Sequence, residues 1–111
     1  MQLPVKIDPR IAKLLKTIDT GENKPLTNMQ LAGMLNMSCN GFIKLFIAET
    51  GLSPQKYWQK RRMEKACELL RYSKFSIEEI AAKTGFANRY HFSRVFHQVM
   101  QMTPAAFRKL L

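Results

Sequence analysis

The sequence predicts an all-α fold of seven helices, arranged as two helix-turn-helix subdomains joined by a long linker helix. Three observations carry that prediction. Apolar residues recur at i, i+3, i+4 and i+7, and no segment alternates with period two long enough to suggest a strand. Glycine, proline and capping residues punctuate the chain at regular intervals. Finally, the phrase "NMSCNGFIKLFIAETGLSP" at residues 36–54 returns as "GFANRYHFSRVFHQVMQMTP" at residues 85–104, so that Phe42, Phe46, Ser53 and Pro54 reappear as Phe92, Phe96, Thr103 and Pro104.

Each element has its own local warrant. Asp8-Pro9 reads as an N-cap followed by proline at the first helical position, and Ile11, Leu14, Leu15 and Ile18 follow at helical spacing until Gly21. Thr27 to Gln30 forms a capping box that opens a short helix with Leu31, Ala32 and Leu35 inward. Ser38 caps a third helix, in which Phe42, Leu45, Phe46 and Glu49 lie three or four apart and Gly51 is the stop. Ser53-Pro54 starts the longest helix, to about Tyr72, with Met63, Ala66, Cys67 and Leu70 on one stripe. Ser76 to Glu79 is a second capping box, leading through Ile80 and Ala81 to Gly85. Asn88 opens the sixth helix, with Phe92, Val95, Phe96 and Val99 inward, and Thr103-Pro104 opens the seventh, holding Phe107 and Leu110. The resulting division is a tail or linker remnant at 1–7, the first subdomain at 8–52, the linker helix at 53–73 and the second subdomain at 74–111.

A helix-turn-helix needs a small residue where its two helices cross and a turn residue that tolerates positive φ. Ala32 and Asn36 supply these in the first copy, Ala81 and Gly85 in the second. Met37 lies five steps before Phe42, whereas Phe86 lies six before Phe92, so the second turn or cap is one residue longer. At 100° per residue, the face opposite Phe42 carries Asn40, Lys44 and Ile47, with Ile43 at its edge. The face opposite Phe92 carries Tyr90, Arg94 and His97, flanked by His91 and Gln98. A long basic or hydrogen-bonding side chain at the centre of an exposed helical face is what reading a major groove requires. The linker helix would span about 30 Å, close to the roughly 34 Å of one turn of B-DNA. Its cations (Lys56, Lys60, Arg61, Arg62 and Lys65) either approach phosphates or keep a long helix soluble.

Charge agrees with that reading. The 111 residues carry a formal +10, of which residues 1–52 hold +2 and residues 53–111 hold +8. A basic surface of this kind favours polyanions. "MQLPVKI" is too short and proline-broken for a signal peptide, no stretch approaches a membrane span, and a cytoplasmic location is expected. Cys39 and Cys67 lie far apart and are expected to be buried free thiols. An enzyme is not expected. His91 and His97 are six apart rather than on one metal-binding face, Cys39 has no histidine partner in sequence, and no glycine-rich phosphate loop occurs. No cofactor or metal is implied.

"IEEIAAKTGFANRYHFSRVFHQVMQMTPAAFRK" resembles the signature of the AraC/XylS family of bacterial transcription regulators, and "GLSPQKYWQKRRMEKACELL" resembles its linker helix. The resemblance covers about residues 8–111. It implies sequence-specific double-stranded DNA binding, with helices three and six each entering a major groove. By position, it implies base reading by Asn40, Ile43, Lys44, Tyr90, His91 and Arg94. Ser38, Arg61, Arg62, Asn88, Arg89 and His97 are candidate contacts to the DNA backbone. The alternative is a helical RNA- or protein-binding module without sequence-specific readout. Two departures stand out: Asn36 replaces the usual glycine of the first turn, and Gln101 replaces the glycine before the second repeat's "TP", so helix six is expected to end differently. Family members often carry an N-terminal sensor or dimerisation domain. The chain is therefore expected to be the C-terminal domain of a longer regulator, the alternative being a small stand-alone member. It is expected to be monomeric in isolation, with dimerisation through an N-terminal domain and RNA polymerase as further candidates.

Overall fold

The computed structural model describes residues 7–20 and 24–110, which leaves Gly21, expected to end the first helix, and the tail at 1–6 outside the described residues. Among the described residues seven helices follow in order: α1 Pro9–Ile18, α2 Asn28–Met34, α3 Cys39–Thr50, α4 Pro54–Tyr72, α5 Ile77–Lys83, α6 Arg89–Met100 and α7 Pro104–Arg108. No strand occurs among the described residues. Every helix starts on the cap read from sequence, because a cap is a purely local contact. Asp8, Ser38, Ser53, Asn88 and Thr103 each accept a backbone N–H of the first turn. Thr27 with Gln30, and Ser76 with Glu79, form reciprocal capping boxes. Glu79 accepts the Ser76 N–H, which holds its carboxyl below the usual carboxylate range.

Two apolar cores form, and α4 contributes to both. Trp58, near its start, packs with Ile11, Leu14, Ile18, Leu31, Phe42 and Phe46. Met63, Ala66 and Leu70, further along, pack with Ile80, Phe86, Phe92, Phe96 and Phe107. Polar ties add to the burial on each side. On the first side, the Gln55 amide donates to Leu26 O at 2.7 Å, and the Tyr57 hydroxyl donates to Asp19 at 2.8 Å. On the second, Arg108 Nε donates to Leu70 O at 3.0 Å. The long helix therefore holds both helix pairs as one frame.

The two turns close alike. Met37 N–H donates to Ala32 O at 2.9 Å, as Phe86 N–H does to Ala81 O at 2.9 Å. Asn36 sits at φ 56° and Gly85 at φ 80°, so asparagine does tolerate the left-handed position assigned to it. The extra residue of the second copy lies just after the turn: Ser38 follows Asn36 by two residues, Asn88 follows Gly85 by three.

Some expectations need correction. Val99, read as inward, is 42% exposed in the last turn of α6, and Leu110, read as part of the seventh helix, lies beyond its end at Arg108 and is 65% exposed. Cys39 and Cys67 are free but only half-buried, and burial pushes the Cys67 thiol upward. Helix six does not end differently for want of glycine. Gln101 itself takes the left-handed cap at φ 62°, matching Gly51 at φ 84° after α3. A side chain in that region costs roughly 1 kcal/mol or more, and the Gln101 amide offsets little of it by donating to Gln98 O at 3.1 Å. Gln101→Gly should therefore raise stability by about 0.5–1 kcal/mol in urea titration. Gly51→Ala should lower it by about 1 kcal/mol purely through backbone strain, because a Cβ there would meet nothing within 4 Å. A loss on Gln101→Gly would mean that the side chain supplies more than the strain costs.

Candidate nucleic-acid interface

The exposed faces of α3 and α6 carry the sequence-predicted readers. Asn40 and Lys44 are exposed on the first two turns of α3, and Tyr90, His91 and Arg94 are exposed on those of α6. Ile43 is different. It is half-buried against the first core, so it stands at the margin of its face, as the helical wheel placed it. Ser38 and Asn88 accept Gly41 N–H at 3.1 Å and His91 N–H at 2.9 Å. These contacts use their acceptor oxygens and leave the serine hydroxyl proton and the asparagine amide protons as outward donors.

On α6 the readers are supported from beneath and beside. The His91 ring stands edge-on to Phe86 at 5.3 Å between centroids, and Phe86 in turn packs on Phe92 at 5.4 Å. Arg89 lies over the Tyr90 ring at 5.1 Å, although Tyr90 remains 73% exposed. His97, in the last turn, is exposed on the same side. The corresponding support is thinner on α3, where Gly41 occupies the position equivalent to His91. A Cβ at Gly41 would approach Ser38 Oγ at 2.9 Å, so the glycine is the cost of this tight serine cap.

Arg62 corrects the expectation of a phosphate contact. It is 8% exposed, donates through Nε to Thr84 O at 2.7 Å, and stacks its guanidinium 3.7 Å from the Phe86 centroid. Burial pulls its pKa down to about 10, which leaves it a cation at neutral pH. Its charge is spent holding α4 against the second turn. Arg61 is also engaged, with Asp19 at 3.3 Å and with Glu64. Lys65 pairs with Glu68 at 3.0 Å, and Lys56 and Lys60 line a groove on α4 that contains none of the reading residues. Sequence reasoning missed Phe86 and Arg62 as supports of His91, because their contact joins residues 24 apart in different elements and follows no periodicity.

Residues 31–110 match the model of a family described as "Helix-turn-helix domain", and that span runs from within α2 through α7. The chain belongs to the AraC/XylS family. Among AraC/XylS relatives, the regulatory protein PocR of Salmonella typhimurium is 34% identical over 106 residues, covering 96% of this chain and 35% of PocR. The transcriptional activator RhaS of Shigella boydii is 34% identical over 79 residues, covering 71% of this chain and 28% of RhaS. The chain thus spans about a third or less of the length of these regulators. Among solved structures, the C-terminal domain of AraT, a response regulator from Geobacillus stearothermophilus, aligns with a TM-score of 0.87 at 29% identity, covering 96% of this chain and 89% of that one. The DNA-binding domain of AdpA, solved with a target DNA, shares the AraC/XylS fold at a TM-score of 0.84 and 24% identity, covering 93% of each chain.

Proposed function

We propose that this chain is a sequence-specific double-stranded DNA-binding module of bacterial transcription regulation, with α3 and α6 set into successive major grooves. The observation that carries this reading is the rigid tandem. Two capped helices with exposed polar first turns are fixed to one 19-residue helix, which spans about 28 Å against roughly 34 Å for a turn of B-DNA. The DNA-complexed AdpA domain and the activator RhaS support the same reading by kinship. Asn40, Lys44, Tyr90, His91 and Arg94 are the proposed base readers, with Ile43 able only to touch a thymine methyl from the edge. Ser38, Asn88, Arg89 and His97 are the proposed phosphate contacts. RNA polymerase is the proposed further partner of the whole regulator.

The repeats are tandem and non-identical, so one chain should occupy an asymmetric site rather than a palindrome. Footprinting and selection from random duplexes are expected to yield two conserved segments about 10 base pairs apart on one face of the helix. Recovery of a single short motif, or of an inverted repeat occupied by two chains, would count against the arrangement. Equal competition by structured RNA of the same length would count against duplex DNA as the ligand.

A further inference from the structure

The side of α4 turned away from Trp58, Ala66 and Leu70 carries a charge pattern that DNA binding does not use. Lys56, Lys60, Glu64 and Glu68 recur at every fourth position, so one stripe reads two cations and then two carboxylates. These four residues border a groove of about 690 Å³. Leu52, just before α4, Tyr72, its last residue, and Val99 of α6 also line it, the last two 78% and 42% exposed. Among the described residues, no carboxylate pairs with Lys56 or Lys60. Arg61 and Lys65 donate to Oε1 of Glu64 and of Glu68, and a carboxylate has a second oxygen with which to accept a further donor.

We infer that this face docks a second copy of the chain, with the two α4 helices antiparallel about a two-fold axis level with residue 62. Positions equidistant from 62 then meet. Lys60 faces Glu64 of the second copy, Lys56 faces Glu68, and Leu52 faces Tyr72, each contact occurring twice as an isologous interface requires. The charge stripe also fixes the register. Sliding the copies by one helical turn cuts the four opposite-charge pairs to two and sets Glu64 against Glu64 or Lys60 against Lys60, and a parallel in-register arrangement sets like on like throughout. In this register Tyr72, 78% exposed in the single chain, gains Leu52 of the second copy as an apolar neighbour. None of the base-facing residues lines the groove, so self-association leaves them uncovered in both copies. One helix pair covers less than the about 800 Å² per partner of a standard interface, so the dimer is roughly micromolar or weaker and the chain stays monomeric at nanomolar concentration.

Sedimentation equilibrium across the micromolar range tests this with the intact chain. The wild type should approach twice its monomer mass as concentration rises, and less so in high salt. Lys60→Glu and Glu64→Lys should each weaken association by about tenfold, because each sets like charges together at two symmetric places. An equimolar mixture of the two variants should associate about as well as wild type, since all four pairs are then of opposite sign. Wild type that stays monomeric throughout, single variants that associate normally, or a mixture no better than its components would each overturn the proposal. So would a monomeric wild type whose Val99 and Met100 methyl resonances shift with dodecanoate, which would assign the groove to a small amphiphile.

Discussion

Replacing Arg62 with alanine should destabilise the second subdomain by about 3 kcal/mol and leave the salt dependence of DNA binding unchanged. The energetic estimate combines a lost hydrogen bond from a charged donor to Thr84 O with a lost desolvated stack on Phe86. Arg62→Met keeps most of the packed volume and forfeits the polar contacts, so it should cost less, about 1–2 kcal/mol. Amide hydrogen exchange locates the effect. Protection should fall around Phe92 and Phe96 and persist around Phe42 and Phe46, because the two sets lie in different cores. The electrostatic half of the prediction is separate. An arginine on phosphate contributes about 0.9 to the slope of log affinity against log salt, and a buried one contributes nothing. A slope flattened by Arg62→Met, with exchange unaltered, would return Arg62 to the DNA.

Arg62 also shows where reading the sequence stops working. Helix starts were legible because each cap is a contact within four residues, as Thr27 with Gln30 shows. The reading faces were legible because a helix of known start fixes the direction of every side chain, so Asn40, Lys44, Tyr90 and Arg94 are exposed where the helical wheel put them. A cation in a lysine- and arginine-rich helix, by contrast, reads as solvated unless its surroundings are known. For Arg62 those surroundings are Thr84 and Phe86, more than 20 residues later in another element. Gln101 failed for the related reason that helix termination is tertiary as well as local. The return from α6 to the Thr103-Pro104 start of α7 demands a left-handed residue whichever amino acid is present. The charge stripe of α4 was in plain sight, but its sign order acquires meaning only beside an open groove.

Arg94→Ala is expected to relax base preference in its own half-site by about 1–3 kcal/mol, the range for one bidentate arginine–guanine pair. Lys44→Ala should cost less and discriminate less, because an ammonium is a mobile point charge whereas a guanidinium is a planar fork. The surroundings of the two residues widen that difference. Arg94 shares its face with His91, whose ring is braced by Phe86, and with Tyr90, over which Arg89 lies. A braced side chain gives up less rotamer freedom when it meets a base. Lys44 shares its face with Ile43, half-buried and apolar, and with Gly41, which presents no side chain at all. Asn40 is the strongest counterweight, since an exposed asparagine can hold adenine through two bonds. The two orderings separate when Arg94→Ala, Lys44→Ala and Asn40→Ala are titrated against duplexes carrying each single-base change. Larger losses in the half-site under α3 would make the first copy the stricter reader and reverse the order argued here. With the expected order, bases under α6 tolerate fewest changes, and Arg94→Lys recovers affinity without recovering the preference for guanine.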